Sequence, residues 1–282
     1  MIKDLKVTIL MDNITFRRDL IAEHGLCLFI ETNKGNMLFD TGASPMFIEN
    51  AKKLGIAFDN IDALILSHGH YDHTGGIRAL LEYKSPLKIY MHPYGFEEKI
   101  KKDCKGECYP IGMPCNKENL ESLGAQFIAN KGPQELTEGI LLTGSIPRKT
   151  DFESLNSTLC IEEEGHIWVD PLWDDQALVI NIEGAGIVIT GCAHSGIVNT
   201  LEYVQSLEYS QPIGCIIGGM HLKDADDEQI HETISYLKKI EFSQLIALHC
   251  TGFYAASKLA SAFEEKFHVG SVGDIWEFKG AY

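Results

Sequence analysis

Apolar and polar positions alternate in short blocks along the chain, and these blocks predict many strands with helices between them. Strands come first and strand–helix alternation follows in both halves, which fits two sheets covered by helices. The predicted strands span residues 6–11, 26–31, 36–40, 61–66, 87–91, 126–129, 140–143, 157–162, 167–169, 177–182, 187–190, 213–217, 244–248 and 271–278. The predicted helices span residues 45–53, with Ser44 as N-cap, 74–82, with Thr74 as N-cap, 196–207, 227–239 and 253–266.

Residues 93–123 are the least regular segment of the chain. Long irregular segments in compact domains often have a function, so we expect an insertion or lid beside the site. The rest reads as a single domain over residues 1–282, built from two similar halves. The segment also holds three clustered cysteines, Cys104, Cys108 and Cys115.

Composition and charge limit the classes of partner. The 282 residues carry 24 basic and 40 acidic side chains, a formal net charge of −16. Such a surface repels a phosphate backbone, so we expect no nucleic-acid partner; a small phosphorylated substrate needs only one or two local cations.

The chain contains no run of about 18 apolar residues, so no membrane span is predicted. The first residues lack a signal peptide, so we expect a cytoplasmic protein with reduced thiols. The oligomeric state cannot be predicted.

Three imidazoles and a carboxylate lie within six consecutive positions: His68, His70, Asp72 and His73. An apolar strand precedes them and a helix is predicted after them, so the four side chains share one strand-to-helix loop. His68 and His70 point to the same side if the strand end is extended. Imidazole and carboxylate suit zinc, and also iron or manganese. The loop therefore predicts a site for a divalent metal.

Other candidate residues follow apolar strands in the same way. His194 lies between a strand and a helix, as the first loop does, and is predicted as a further ligand. Asp40 ends a buried strand, where an unpaired carboxylate is costly, so we expect it to orient a ligand histidine. His249 is predicted to contact substrate or transfer a proton. Thr251, at the start of the next helix, is a candidate anion contact.

The pattern His-x-His-x-Asp-His after an apolar strand resembles the signature of the metallo-β-lactamase superfamily. Three further segments resemble that family's motifs: Asn36–Gly42, Gly186–Cys192 and Ile216–His221. The resemblance covers roughly residues 5–280. It implies an α/β (α+β) fold, a four-layer αββα sandwich with a mono- or binuclear metal site at one edge, and it usually implies hydrolysis. It also implies that His221 closes the second metal position.

Two departures from the family pattern concern the ligand set. Cys192 stands where a bridging aspartate is usual; we expect it to be inert, with His194 in its place, although a thiolate ligand is the alternative. The usual middle histidine is missing, and Asp175 is the nearest substitute. These departures predict one tightly bound metal ion and a second ion that is bound more weakly.

The segments around Cys192, His221 and His249 resemble a subgroup known as dihydropteroate-synthase-like. Its members are described as 7,8-dihydropterin-6-yl-methyl-4-(β-D-ribofuranosyl)aminobenzene 5'-phosphate synthases, in the biosynthesis of a folate-like cofactor. The resemblance implies a small-molecule substrate with a pterin or aryl ring and a phosphate. A metal-activated water would favour hydrolysis, and the same metal could serve as Lewis acid in a condensation. Asp72 is the candidate proton acceptor or second-metal ligand. The alternative is a redox or iron-binding protein that uses the same site and the thiols of Cys104, Cys108 and Cys115.

Overall fold

The computed structural model describes residues 1–182, 185–209 and 212–280. Its strands are β1 (Asp4–Met11), β2 (Cys27–Thr32), β3 (Gly35–Phe39), β4 (Ile61–Ile65), β5 (Leu87–Met91), β6 (Lys99–Lys102), β7 (Cys108–Pro110), β8 (Ala125–Ala129), β9 (Gln134–Thr137), β10 (Ile140–Leu142), β11 (Leu159–Glu163), β12 (His166–Val169), β13 (Ala177–Ile182), β14 (Ala185–Thr190), β15 (Ile213–Gly218), β16 (Gln244–Ala247), β17 (Phe267–Val269) and β18 (Ile275–Lys279). Its helices are α1 (Met46–Lys53), α2 (Tyr71–Thr74), α3 (Ile77–Tyr83), α4 (Lys117–Ser122), α5 (Ile197–Ser206), α6 (Asp227–Leu237) and α7 (Phe253–Phe263).

Two seven-stranded sheets form the body of the molecule. The first has the order β18-β1-β2-β3-β4-β5-β8, and the second has the order β17-β16-β15-β14-β13-β10-β9. In the first sheet β3, β4, β5 and β8 run parallel, and in the second β14, β15, β16 and β17 run parallel. The carboxyl ends of parallel strands meet at one edge of a sheet, so each sheet brings several strand ends together there.

Alternating apolar side chains bury both faces of each sheet. In β14, Ile187 and Ile189 pack into the core between the sheets, whereas Val188 packs against the helices on the outer face. The outer face of the first sheet packs on α1, α3 and α4, and that of the second on α5, α6 and α7. The layers are therefore helix, sheet, sheet and helix, which confirms the predicted αββα sandwich.

The segment 93–123 is more regular than its sequence predicts. Strands β6 and β7 pair with each other, and β6 also pairs with β11 in a small sheet of order β12-β11-β6-β7. The segment also contains a 3-10 turn at Pro93–Phe96 and helix α4. The expectation of an irregular segment is wrong because β6 takes its partner β11 from about 60 positions away, and β7 in turn pairs with β6.

Most other predicted elements are confirmed to within a few residues, with two differences near the site. Thr74 does not cap a helix; it lies inside the short α2, and its hydroxyl donates to the His70 carbonyl. Helix α3 begins only at Ile77, after Gly76. Strands β9 and β17 were not predicted. Within the described residues, no helix is both long and apolar enough to cross a bilayer.

Candidate metal site

Five strand ends deliver the candidate ligands to one edge of the sandwich. The first sheet contributes the residues after β3 and β4, and the second those after β14, β15 and β16. Asp40, His221 and His249 adopt left-handed backbone conformations, with φ of 61°, 49° and 48°. Such conformations are rare outside glycine and concentrate at functional sites, where the surrounding structure enforces them. Here they turn the chain just past a strand end.

Three imidazoles converge at one point of this edge. The Nε2 of His68 lies 2.9 Å from Nδ1 of His70, which lies 3.1 Å from Nε2 of His194. Burial lowers the pKa of all three, that of His70 to about 3, so all three rings are neutral near pH 7. The other nitrogens of His70 and His194 are buried without a hydrogen-bond partner. Neutral, under-partnered imidazoles suit a divalent ion such as zinc, so these residues fit a metal.

Asp72 is the centre of a second group of potential ligands. Its Oδ2 lies 3.1 Å from Nε2 of His24, 3.3 Å from Nε2 of His249 and 3.9 Å from Nε2 of His73. Burial opposes ionisation, but the nearby histidines hold the pKa of Asp72 well below its usual range. The carboxylate is therefore charged and able to bind a cation or accept a proton. Ligand atoms of His24, Asp72 and His249 lie within 4.8 Å of one another.

Asp40, at the end of β3, anchors the loop after β4 that carries His68, His70, Asp72 and His73, here called the metal loop. Its Oδ1 accepts the Ser67 amide N–H at 2.7 Å, and its Oδ2 lies 2.7 Å from Ser67 Oγ and 2.6 Å from Nδ1 of His73. His73 thus has its Nδ1 engaged by a carboxylate and its Nε2 directed at the site. This contact pattern is the one expected of a residue that orients a ligand without binding the ion itself.

Cys192 has a more central place than the sequence predicts. Its Sγ lies 3.2 Å from Nε2 of His73. It belongs to three groups of ligand atoms within 4.8 Å of one another: with His68 and His194, with His73 and His249, and with His221 and Cys250. Burial raises the pKa of the Cys192 thiol well above its usual value, so without a cation it stays protonated.

Asp175 stands outside the ligand groups found among the described residues. Its Oδ2 accepts the Ser195 amide N–H at 2.7 Å, next to His194, while its Oδ1 has no hydrogen-bond partner. Burial raises its pKa to about 6. The structure therefore makes Asp175 a support of the His194 turn, which differs from the expectation that it substitutes for the missing ligand.

His249 and Thr251 lie on a 3-10 turn before α7. Oδ1 of Asn13 lies 2.8 Å from Nδ1 of His249 and accepts its hydrogen, which leaves Nε2 to face Asp72. This position fits a ligand as well as the predicted role in proton transfer. The Thr251 hydroxyl donates to the Leu248 carbonyl at 2.9 Å, and Thr251 is buried. An anion contact through Thr251 remains a prediction.

Two neighbouring cavities open beside these residues. The metal-site cleft, of about 160 Å³, is lined by His70, Asp72, His194 and His249, and its other charged lining residues are Lys101, Lys223 and Asp224. A second cavity, of about 310 Å³, has mostly apolar walls that include Ile14, Leu248, Phe253 and Val269. His249 and Lys223 line both cavities. The arrangement offers cations and an apolar recess next to the candidate metal position.

The comparisons with known proteins agree with this geometry. The profile of the metallo-β-lactamase superfamily matches residues 20–203. A relative from Methanocaldococcus jannaschii is 32% identical over 281 residues, which covers 96% of this chain and 95% of the relative. The chain belongs to the metallo-β-lactamase superfamily. The relative is named 7,8-dihydropterin-6-methyl-4-(beta-D-ribofuranosyl)-aminobenzene-5'-phosphate synthase, so the predicted resemblance is confirmed.

Solved structures of the metallo-β-lactamase superfamily share the fold. Tm1679, described as a metal-dependent hydrolase of the β-lactamase superfamily, superposes with a TM-score of 0.82 at 25% identity, covering 98% of this chain and 99% of Tm1679. Zn²⁺-bound PqqB from Methylobacterium extorquens superposes with a TM-score of 0.58 at 14% identity, covering 96% of this chain and 99% of PqqB. Membership of this superfamily supports an enzymatic role and a bound metal.

Three residues in or beside this site were not predicted from the sequence: His24, Lys99 and Cys250. His24 is isolated in a polar loop. The thiol of Cys250 accepts the His221 amide N–H at 3.3 Å. Lys99 lies in a charged stretch typical of solvent-exposed segments, yet it is fully buried. No local signal marks His24 or Lys99, while Cys250 directly follows a residue that was singled out.

The three clustered cysteines are not gathered into a site. Cys104 and Cys108 are exposed and Cys115 is partly buried, and all are free thiols. Among the described residues, no group of three or more potential ligands includes any of them. The cluster therefore gives no geometric support to the alternative of a redox or iron-binding protein. Cys27, Cys160 and Cys215 are buried.

Proposed function

We propose that this protein is a metal-dependent, hydrolase-like enzyme that acts on a small phosphorylated pterin or aryl-type substrate. The observation that carries the proposal is the convergence of ligand atoms from both sheets beside a cleft lined by Lys101 and Lys223. The relative named as a dihydropterin-related synthase supports the substrate class. The apolar cavity that shares His249 and Lys223 with the cleft can accept a ring.

The proposed ligand set has two parts. His68, His70 and His194 would hold one ion, and Asp72 with His73 would hold a second. Cys192 borders both positions, so we propose it as a shared ligand, with His221 completing the set. Imidazole, carboxylate and thiolate donors together favour zinc, with manganese or iron as alternatives. A bound divalent ion supplies Lewis acidity, which polarises a carbonyl or phosphoryl oxygen and acidifies water.

The remaining steps belong to the protein's own side chains. Asp72 is the proposed proton acceptor, since its carboxylate is charged and lies 3.3 Å from His249 Nε2. His249, held by Asn13, would pass the proton onward or contact substrate. Lys101 and Lys223 would bind the phosphate, and Thr251 remains a proposed anion contact near the apolar cavity.

Metal content tests the proposal most directly. Protein purified without added metal would be analysed by mass spectrometry for wild type, His194→Ala and, as a control, His231→Ala, which changes an exposed histidine on α6. We expect the His194 variant to lose bound metal and the control to match wild type. Zinc-dependent hydrolysis of a chromogenic aryl phosphodiester and an aryl ester would be measured in parallel, and Asp72→Asn should abolish it. Wild-type protein without bound metal would overturn the proposal.

A further inference from the structure

The segment 93–123 is attached directly to the metal loop. The Tyr71 amide N–H donates to the Ile111 carbonyl at 2.9 Å. Gly69, between His68 and His70, packs so closely on Gly95 that a Cβ at Gly69 would clash with the Gly95 carbonyl. Two points of the metal loop thus rest on the backbone of the inserted segment.

A buried ion cluster makes a third connection. Lys99, on β6, is fully buried, and its Nζ lies 2.8 Å from Oδ2 of Asp170 and 3.0 Å from Oδ1 of Asp174. Burying an ammonium group away from water is costly unless charges and hydrogen bonds compensate it. Both carboxylates are fully buried as well, so their negative charges are compensated by Lys99 and not by water.

The two aspartates differ in the backbone amide that each one holds. The second oxygen of Asp174 accepts the Gly69 amide N–H at 2.8 Å, inside the His-Gly-His sequence of the metal loop. The second oxygen of Asp170 accepts the Leu172 amide N–H at 2.7 Å, outside that loop. Charge, burial and partner on the Lys99 side are the same for both.

We propose that Lys99 and Asp174 are positioning residues for the metal loop, an inference that rests on the proposed metal-dependent function. Lys99 fixes the carboxylate of Asp174, and that carboxylate fixes the peptide plane at Gly69. The orientation of this peptide determines how His68 and His70 leave the backbone, so it pre-orients both imidazoles before an ion arrives. Residues that orient metal ligands in this way contribute to metal affinity without touching the metal.

The matched variants Asp174→Asn and Asp170→Asn separate positioning from general stability. Each replaces one buried carboxylate beside Lys99 and disturbs one backbone hydrogen bond. Zn²⁺ affinity of chelator-stripped protein would be measured by competition with a chromophoric chelator, and stability of the zinc-free protein by urea unfolding. We expect similar losses of stability, but Zn²⁺ affinity reduced about 10–100-fold only in Asp174→Asn, as for other residues that orient ligands.

Equal Zn²⁺ affinity in the two variants would overturn the positioning role while leaving the proposed function intact. A wild-type protein that binds no Zn²⁺ would overturn both. Amide hydrogen exchange of the zinc-free wild type adds a measurement that needs no folded variant. The Gly69 amide should exchange as slowly as the amides of β4, and rapid exchange at Gly69 would also contradict the proposal.

Discussion

Nδ1 of His73 lies 2.6 Å from Oδ2 of Asp40, and both side chains are completely buried. The carboxylate accepts the Nδ1 hydrogen, so Nε2 is left to face the site, where Cys192 Sγ lies 3.2 Å away. The pair thereby sets the direction of the ring, and it places the hydrogen on Nδ1 when the ring is neutral. Because Asp40 also holds the Ser67 amide, it fixes the start and the end of the metal loop together.

Replacing Asp40 with alanine should weaken Zn²⁺ binding about 10–100-fold, because the His73 ring and the loop lose their common anchor. Competition with a chromophoric chelator measures the effect. Asp62→Ala is a suitable control, since Asp62 Oδ2 also accepts a backbone N–H, that of Asn36, but at the opposite end of β4. Equal losses of affinity in the two variants would mean that Asp40 acts only on general stability.

The same pair predicts how the stability of the zinc-free protein depends on pH. Burial alone would lower the pKa of His73, but the carboxylates of Asp40 and Asp72 raise it to about 9. Since the unfolded chain has a histidine pKa of about 6.5, this stabilisation is complete below about pH 6.5 and is lost as pH rises through about 9. The urea midpoint should therefore fall over that range. A fall of the same size in Asp40→Asn would assign it to other groups.

Cobalt substitution tests whether Cys192 is a ligand. If its thiolate binds the ion, the Co²⁺ protein should show thiolate-to-metal charge-transfer absorption in the near ultraviolet, and Cys192→Ser should lack it. Cys215→Ser should retain the absorption, because Cys215 is buried in the core between the sheets. A wild-type spectrum without this band would favour the interpretation made from the sequence, in which Cys192 is inert.

Lys223 is expected to recognise the phosphate of the substrate. Lys223 lines both the metal-site cleft and the apolar cavity, so it is placed between the proposed phosphate and ring positions. Lys223→Ala should weaken binding of an aryl phosphate about tenfold, the typical loss of a charge-assisted hydrogen bond, and leave the dephosphorylated compound unaffected. Calorimetric titration measures both affinities. Lys239→Ala, an exposed lysine after α6, is the control, and equal losses for both compounds would contradict the assignment.

The sequence predicts those parts of the site in which the informative residues are neighbours along the chain. Each core strand is a short apolar run, and His68, His70, Asp72 and His73 are nearly contiguous, so strand and loop could be placed together. The strands β6 and β7 escaped prediction because they are polar and form part of a small outer sheet. Their partners, not their own composition, determine that they are extended.

Long-range pairing explains the residues that were missed. Lys99 contacts carboxylates 71 and 75 positions away, and nothing in the neighbouring sequence distinguishes it from a surface lysine. His24 reaches Asp72 only because the loop after β1 folds over the metal loop. Asp175 was judged by its position in the family pattern, and its actual partner, the Ser195 amide, depends on a turn whose geometry the sequence does not reveal.

The buried cluster of Lys99, Asp170 and Asp174 also constrains how this chain can evolve. Losing Lys99 would leave two buried carboxylates without their counter-charge, at a cost of about 3–5 kcal/mol, a large fraction of a typical domain's stability. Losing either aspartate would instead leave a one-to-one ion pair and one backbone amide without its carboxylate. Replacement of Lys99 alone is therefore disfavoured, so a change at Lys99 should be accompanied by changes at Asp170 and Asp174. Anyone grafting the 93–123 segment from a relative onto this scaffold would have to transfer the matching residues at 170 and 174 with it.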